Sequence, residues 1–357
     1  MKFGVIGAGE IGALRVDSLR DHPDTQVVAV ADLNESNASR VARGAGARSV
    51  VDWRSLLDDS EIDAIVISTP LSLHEEMAAD ALRAGTHVLI EKPLANTLEG
   101  CRRLVDLSAS TGRALGVGFN HRFYPSAKFL KQVLDEGRLG EIDHVRAFAG
   151  HDGLPSLKEE WMYEYPAAGG GAMWDVGIHI TDLVRYVAGE LTEVYGVAGN
   201  RVWDLGQSED NAMAIFKGER KIPVLYQASW SEWAGYHWYV DVYGTQGMCR
   251  AYYAPMYNLL VTQSQPGGAR KTKRKFYPEL ILREKFKGWQ STTRSTFDDE
   301  LVEFLKRVAG EASQLASGWD GLRASEIALA VHKATATGEV VQLSAPPAVE
   351  TASIPSD

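Results

Sequence analysis

The chain has 357 residues, of which 45% are hydrophobic and 24% charged, and its formal net charge is −10. This composition is typical of a soluble globular protein, and the length exceeds one ordinary domain of about 100–200 residues, so we expect two domains. The acidic charge disfavours nucleic acid or an anionic membrane as the main partner. No segment approaches the ~18 apolar residues of a membrane span, and the N-terminus lacks the apolar region of a signal peptide.

The two cysteines, Cys101 and Cys249, lie far apart in the sequence. Neither belongs to a CxxC pair, so no zinc site is indicated and we predict no metal. Two reduced cysteines are typical of a cytoplasmic protein, which is the location that we expect.

Up to residue 121, short apolar runs alternate with segments of helical spacing. Strands are predicted at 3–6, 27–31, 64–67, 88–90 and 114–117, and helices at 11–19, 34–41, 75–84 and 98–108. This alternation indicates βαβ units and a parallel sheet that is covered on both faces. We therefore predict an α/β protein whose first domain covers 1–121.

Beyond residue 121 the pattern changes to successive strands. Strands are predicted at 145–149, 194–198, 212–216, 224–230, 236–243 and 248–253, and helices at 125–134, 172–187, 297–308 and 322–337. Strands without intervening helices indicate a large, mostly antiparallel sheet, in a second α/β domain over 122–343. The Pro/Ala/Ser-rich segment 344–357 is expected to be a flexible tail.

A glycine-rich turn connects the first predicted strand to the first predicted helix, with the sequence Gly7-Ala8-Gly9-Glu10-Ile11-Gly12. In a dinucleotide-binding turn the first glycine permits the tight turn, the second lets the backbone approach a pyrophosphate, and the third allows close helix packing. The backbone N–H groups of the helix start then bind the phosphates. The alternative is a plain βα turn, because glycines are common in turns.

Asp32 ends the second predicted strand, 20 residues after Gly12. A carboxylate at this position can accept hydrogen bonds from a ribose diol and would repel a 2′-phosphate. Its neighbours Leu33 and Asn34 offer no cation. We therefore expect NAD rather than NADP, the alternative being that Asp32 is an ordinary turn residue.

Lys92 lies in Glu91-Lys92-Pro93, directly after a buried strand of the first domain. The carboxyl ends of parallel strands face the ligand crevice, so this lysine can lie beside a nicotinamide and hydrogen-bond a substrate oxygen. Taken alone, a surface lysine at a strand end is the simpler interpretation.

Asp175 and His179 lie four residues apart on a predicted helix of the second domain, after the run Gly169-Gly170-Gly171. This spacing puts both side chains on one helix face. A histidine can accept a hydroxyl proton while hydride leaves, and an aspartate can orient it. The alternatives are a solvated pair, a buried core histidine, or a metal pair, for which no third ligand is evident.

Several segments together resemble the glucose–fructose oxidoreductase/inositol dehydrogenase (Gfo/Idh/MocA) family over nearly the whole chain. They are GAGEIG, STPLSLHEEMAADALRAGTHVLIEKPL, GFNHRF, GGGAMWDVGIHITDLVRYVAG, YGTQG and GLRASEIALAVHKATATGEVVQL. The resemblance implies an NAD-binding Rossmann domain followed by an α/β domain with an open sheet. In the family this sheet commonly mediates homodimers or homotetramers.

The resemblance also implies roles for individual residues. Lys92 matches the catalytic lysine, with Pro93 after a cis bond, His179 the general base, and Asp175 the orienting group. The positions that line the nicotinamide cofactor in the family correspond to Ser68, Thr69, Pro70, His74, Glu91 and Asn120, besides the glycine turn with Glu10 and Ile11.

The substrate is expected to be a sugar, sugar derivative or cyclitol, because the second domain is rich in aromatic residues and family substrates are often of this kind. The expected substrate contacts are Arg122, Tyr124, His151, Asp152, Trp161 and Tyr236. A basic stretch over 270–287 is interpreted as a solvated hairpin or, alternatively, a clamp for phosphate or carboxylate.

The leading hypothesis is an NAD-dependent dehydrogenase that moves hydride between a secondary alcohol and nicotinamide. One alternative is a glycoside hydrolase of the same fold that uses NAD transiently. The other is a non-catalytic NAD-binding sensor, which the retained Lys92, Asp175 and His179 disfavour.

Overall fold

The computed structural model describes residues 1–157, 162–265 and 267–344. The first part of the chain forms a six-stranded, fully parallel sheet with the order β3-β2-β1-β4-β5-β6. Its strands are β1 (Lys2–Ile6), β2 (Gln26–Ala31), β3 (Arg48–Val50), β4 (Ala64–Ile67), β5 (His87–Ile90) and β6 (Leu115–Val117). The strand order reverses between β1 and β4, which is where open α/β sheets bind ligands, beyond the carboxyl ends of the strands.

Helices cover this sheet because its central strands are apolar on both faces; every residue of β4, for example, is buried. The helices are α1 (Glu10–Asp21), α2 (Glu35–Ala45), α3 (His74–Arg83) and α4 (Leu98–Thr111). Side chains cap two of them: Asn34 accepts from Asn37 N, and Thr97 accepts from Gly100 N.

The second part forms a nine-stranded sheet with the order β14-β13-β12-β11-β7-β10-β9-β8-β15. Its strands are β7 (Ile142–Gly150), β8 (Leu191–Gly199), β9 (Asn211–Gly218), β10 (Pro223–Ser229), β11 (His237–Gly244), β12 (Gly247–Tyr253), β13 (Tyr257–Gln263), β14 (Arg270–Phe276) and β15 (Val341–Gln342). Neighbours are antiparallel except β7 and β10, which are parallel. In β9 every second residue is buried, so one face of the sheet packs inward and the other is open.

Helices of the second part pack on the inner face of this sheet and against the first sheet. They are α5 (Pro125–Asp135), α6 (Tyr165–Ala168), α7 (Ile178–Ala188), α8 (Pro278–Lys287), α9 (Gln290–Val308) and α10 (Gly318–Thr337). A π-helical turn, Met173–Gly177, directly precedes α7. One hydrophobic core runs through both parts, since Ile67 and Ile90 belong to the same buried cluster as Ile178 and Trp238. The crevice at the edge of the first sheet is therefore closed on one side by the second.

The predicted α/β class, with a parallel sheet followed by a mostly antiparallel one, is confirmed. The sequence reasoning missed β3, α6, β13, β14, α8 and β15. All seven residues of β14 are exposed, so this strand has no apolar alternation to read; it lies at the edge of the sheet and carries the first half of the basic stretch. The expected tail from residue 345 onward lies outside the described residues.

None of the helices in the described ranges combines the length and apolar character needed to cross a lipid bilayer.

Candidate active site

The glycine turn has the shape of a cradle. Gly7 has a φ of +96°, and a Cβ there would lie 2.2 Å from the carbonyl oxygen of Ser68. A Cβ on Gly12 would lie 1.9 Å from the carbonyl oxygen of Gly7. At Gly9, by contrast, a Cβ would meet nothing within 4 Å. The first and third glycines are thus required by packing, whereas the surface over the second is open.

The groups around this cradle suit a pyrophosphate. Gly9 is the N-cap of α1, and no side chain caps the first turn, so the backbone N–H groups of that turn and the positive end of the helix dipole face the open surface. Glu10 and Ile11 lie in that turn, and Glu10 Oε1 accepts from Gln290 Nε2 at 2.9 Å. The buried hydroxyl of Ser68 has no partner among the described residues. The residues present therefore fit a bound dinucleotide.

Asp32 lies beside the cradle at the end of β2. One carboxylate oxygen accepts from Ala8 N and the other from Asn34 N, both at 2.7 Å. The sequence reasoning found no cation next to Asp32, but Arg40 on α2 reaches the same place, where its Nη2 donates to the carbonyl oxygen of Ala8 at 3.4 Å. The place expected for the cofactor ribose thus has the carboxylate of Asp32 and, farther away, the guanidinium of Arg40.

Lys92 follows β5, and the Lys92–Pro93 bond is cis, as the family resemblance implied. Its Nζ donates to the carbonyl oxygen of Asp175 at 2.9 Å and lies 3.6 Å from the Asp175 carboxylate. The other carboxylate oxygen accepts from His151 Nε2 at 2.9 Å and from Trp230 Nε1 at 3.1 Å. Burial opposes ionisation of Asp175, but the His151 hydrogen bond and the Lys92 charge hold its pKa well below the usual value. These residues form a charged cluster between the two sheets.

His179 lies on α7, and its ring stacks on that of His121 with centroids 3.9 Å apart. Its Nδ1 is buried without a hydrogen-bond partner among the described residues. Burial, followed by the nearby His121 and Lys92, lowers the pKa of His179 well below 6.5. His179 is therefore neutral at neutral pH and can accept a proton.

The expected orientation of His179 by Asp175 is not observed. The hydrogen bonds of the Asp175 carboxylate go to His151 and Trp230 instead. The reason is the π-helical turn Met173–Gly177, which widens the helix so that residues four apart no longer stand above one another. Asp175 thus orients Lys92 and His151.

Glu209 fixes the start of the segment that carries Asp175 and His179, a role that sequence reasoning missed. Its carboxylate accepts from Gly171 N at 2.9 Å and from Met173 N at 2.7 Å. A Cβ on Gly171 would lie 1.9 Å from the carbonyl oxygen of Glu209, so this glycine is needed for the close approach. The buried carboxylate replaces the missing backbone partners of the first turn.

Most of the residues expected to line the nicotinamide lie at the carboxyl ends of β4 and β5. Ser68, Thr69 and Pro70 follow β4 directly. The buried ring of His74 contacts the carbonyl oxygens of Pro93 and Thr69, at 2.8 and 3.0 Å, and thereby joins the two loops. His74 is placed to position these loops rather than to contact a ligand.

Glu91 and Asn120 are also engaged within the protein. Glu91 accepts from Arg15 Nε at 2.8 Å, and Arg15 is paired in turn with the buried Glu300. Asn120 Nδ2 donates to Thr296 Oγ1 at 2.9 Å. Both side chains thus connect the edge of the first sheet to α1 or α9.

Arg122 requires a correction. Its guanidinium donates to both carboxylate oxygens of the fully buried Asp182, at 2.7 and 2.5 Å, and lies 3.4 Å from Asp320. It faces the core between α7 and α10, because the short helix over 120–123 turns it away from His121. We therefore omit Arg122 from the proposed substrate contacts.

The remaining expected substrate contacts are found around the cluster, except Trp161, which lies outside the described residues. Tyr124 is buried and packs against the His121 ring, with centroids 4.9 Å apart. Tyr236 is 38% exposed, and its hydroxyl lies 3.1 Å from His121 Nε2. Asp152 is half-buried, 3.9 Å from His151, and accepts from the Ser156 hydroxyl. His121 was missed, although it lies within the GFNHRF segment.

An open dinucleotide cradle at the reversal point of a parallel sheet, with an acid–base cluster formed by Lys92 and residues of the second part of the chain, defines an NAD-binding oxidoreductase. Two family models agree. One, described as "Oxidoreductase family, NAD-binding Rossmann fold", matches residues 1–119, and the other, "GFO/IDH/MocA C-terminal domain", matches residues 128–250. The chain belongs to the Gfo/Idh/MocA oxidoreductase family.

Named relatives are similar over almost the full length. An uncharacterized oxidoreductase of Bacillus subtilis, YrbE, is 29% identical over 353 residues, which are 95% of this chain and 96% of the relative. The myo-inositol 2-dehydrogenase of Thermotoga maritima is 27% identical over 348 residues, or 96% and 98%. A solved levoglucosan dehydrogenase in complex with NADH and levoglucosan has a TM-score of 0.84 at 25% identity, covering 96% of this chain and 99% of that one.

Proposed function

We propose that the protein transfers hydride between a secondary alcohol of a sugar, sugar derivative or cyclitol and the nicotinamide of NAD. The observation that carries this proposal is the meeting of Lys92 with the segment of Asp175 and His179 beside the carboxyl edge of the first sheet. A cation, a buried carboxylate and a neutral histidine are what removal of a hydroxyl proton requires.

Bound NAD would supply the acceptor for the hydride. The glycine turn, Ser68 and Asp32 would hold it, the first two at the pyrophosphate and the third at the ribose diol. Thr69, Pro70 and the backbone around Lys92 stand at the ends of β4 and β5, where the nicotinamide half would lie.

Residues of the protein itself accept the proton of the substrate hydroxyl and position the groups around it. His179, neutral because its ring is buried, accepts the hydroxyl proton as hydride leaves the same carbon. Lys92 hydrogen-bonds the substrate oxygen and stabilises the negative charge that develops on it. Asp175 positions Lys92 through its carbonyl oxygen and carboxylate. In the reverse direction His179 returns this one proton to the substrate oxygen.

The substrate class rests on two supports. Relatives of the chain are named for inositol, levoglucosan and anhydrofructose. The cluster is also surrounded by aromatic rings and polar groups, which suit the C–H faces and hydroxyls of a polyol. Tyr124, Tyr236, His151 and Asp152 are the proposed contacts.

A substrate panel tests this function. The purified protein is incubated with NAD and free sugars, cyclitols, uronic acids, glycosides or nucleotide-sugars, and reduced nicotinamide is followed by absorbance. Net reduction with a polyol, lost in Lys92→Ala and His179→Ala, is expected. Cleavage of a glycoside without net reduction would point to a hydrolase instead, and turnover that survives both substitutions would refute the mechanism.

We also propose that the protein is a cytoplasmic homo-oligomer that assembles through the open face of the second sheet. Exposed apolar side chains are adjacent there across three strands: Tyr195, Val197, Met213, Ile215 and Leu225. A contiguous apolar patch of this kind marks an interaction site. The two free, buried cysteines suit a reducing compartment.

A further inference from the structure

A chain of hydrogen bonds runs from α9 to the proposed substrate site, and its direction is fixed at its start. The buried Thr296 hydroxyl donates to the carbonyl oxygen of Thr293 at 2.7 Å, because a carbonyl can only accept. With its proton used, Thr296 Oγ1 accepts from the Asn120 amide nitrogen at 2.9 Å. This contact sets the orientation of the Asn120 amide, whose oxygen faces His121.

The next link fixes the protonation of His121. Its Nδ1 lies 3.2 Å from Asn120 Oδ1, an atom that can only accept, so the proton is on Nδ1. Burial of the ring, followed by the charge of Lys92, lowers the pKa of His121 to about 3, and the ring is neutral. Nε2 therefore carries a lone pair, and the Tyr236 hydroxyl, 3.1 Å away, donates to it.

Tyr236 is the last residue of this chain of hydrogen bonds and lies beside the proposed substrate site. It lies in the loop between β10 and β11, and its partner His121 stacks on His179, the proposed base. Because the hydroxyl proton is directed at His121, the phenolic oxygen can only accept a further hydrogen bond. A phenol that is free to rotate could both donate and accept.

We propose that Tyr236 is a specificity-determining residue that accepts a hydrogen bond from a free hydroxyl of the substrate, beside the carbon that is oxidised. This inference rests on the proposed function and narrows it to substrates with a hydroxyl group at that neighbouring position. A carbonyl, ether, carboxylate or fluorine at that position cannot donate a hydrogen bond. It would face the phenolic oxygen of Tyr236, also an acceptor here, and both would remain unpaired. Such mismatches, enclosed between the bound substrate and the protein, reduce kcat/KM on the order of 10- to 100-fold.

The first experiment compares each parent polyol, D-glucose and myo-inositol, with its monodeoxy and monodeoxyfluoro derivatives. Fluorine can accept weakly but cannot donate. At one position next to the reacting carbon, both derivatives should lose kcat/KM to a similar extent. If the fluoro derivative kept the parent's value while the deoxy derivative lost it, Tyr236 would be a donor and the inference would be wrong. No loss at any neighbouring position would also refute it.

Two matched substitutions on α9 test the origin of this selectivity. Thr296→Val removes the first link, so the Asn120 amide and the His121 tautomer are no longer fixed, and Tyr236 becomes able to donate. Its discrimination between parent and fluoro derivative should fall several-fold. Thr292→Val is the control, because Thr292 is equally buried but its hydroxyl has no partner among the described residues. Equal effects of the two substitutions would indicate packing alone.

A measurement that needs no substrate separates this inference from the proposed function. Nitrogen-15 NMR of the histidine side chains, with the His121 signals identified by their loss in His121→Phe, should show protonated Nδ1 and unprotonated Nε2. The opposite tautomer would disprove the proposed direction of the hydrogen bonds even if polyols are oxidised. The expected tautomer without turnover of any polyol would refute the proposed function, and with it the role given to Tyr236.

Discussion

The rings of His121 and His179 stack with centroids 3.9 Å apart and planes 23° apart. Two stacked imidazoles cannot both be cationic without strong repulsion, and Lys92 adds a further positive charge nearby. Both rings are therefore favoured in the neutral form, which leaves His179 able to accept a proton over a wide range of pH.

The first prediction concerns the pH dependence of oxidation. The lowered pKa of His179 keeps the ring unprotonated at pH values below 6.5, so kcat/KM should fall only when the pH drops below that value. A pH–rate profile for polyol oxidation checks this. His144→Gln, which changes a half-buried histidine stacked on Tyr243, should leave the profile unchanged. An acidic limb centred above pH 6.5 would contradict the assignment of His179 as base.

The second prediction concerns the glycine cradle. Gly12→Ala places a methyl group 1.9 Å from the Gly7 carbonyl oxygen, so the turn must open and NAD binding should weaken by at least tenfold. Gly44→Ala is the control, since that helical glycine has nothing within 4 Å of an added Cβ. Isothermal titration with NAD measures both. Unchanged affinity in Gly12→Ala would exclude this turn as the dinucleotide site.

The third prediction concerns the choice between NAD and NADP. Asp32→Asn removes the charge that repels a 2′-phosphate and keeps one of the two acceptor oxygens, so that only one of Ala8 N and Asn34 N retains its partner. Arg40 then becomes the dominant charge near the ribose, and the ratio of kcat/KM for NADP to that for NAD should rise about tenfold. Adding Arg40→Gln should reverse most of the gain. Equal rates of the wild type with both cofactors would defeat the argument from Asp32.

The fourth prediction separates Arg122 from the substrate site. Arg122→Leu leaves the buried Asp182 without its partner and should lower the free energy of unfolding by about 3–5 kcal/mol. Arg102→Leu, which removes an exposed pair with Glu99, should cost about 0–1 kcal/mol. Urea denaturation measures both. A variant at position 122 with wild-type stability and a raised KM would restore Arg122 as a substrate contact.

The fifth prediction concerns assembly. Ile215→Lys puts a charge in the centre of the apolar patch on the open sheet face, so the oligomer should dissociate. Sedimentation velocity gives the mass of the particle. Ser110→Lys, on an exposed part of α4, is the control for added charge. A wild type that sediments as a monomer would refute the proposed interface.

Much of the fold could be predicted because buried strands and tight turns require particular residue types, which can be seen in the sequence. Strand β4 is an uninterrupted apolar run, and the glycines of the turn are those that packing demands. The nine-stranded sheet was harder to delimit, because β14 is exposed throughout and has no apolar pattern.

The site was predictable only in part. Lys92, Asp175 and His179 lie in recognisable segments, but the π-helical turn that redirects Asp175 has no sequence signal that spacing rules detect. The link between Asn120, His121, Tyr236 and Thr296 joins positions up to 176 residues apart, and only tertiary structure reveals it. Arg122 was misjudged because adjacent residues of a short helix point in different directions.

Among the described residues, the basic strand β14 forms one edge of the large sheet and pairs only with β13. Its sequence RKTKRKF places five cations along that edge, and a second copy that paired its own β14 there would bring five more cations beside them. Like charges on facing strands repel, so pairing of two copies through their β14 edges is disfavoured. The oligomer proposed above would then join its copies through the broad face of the sheet rather than through this edge.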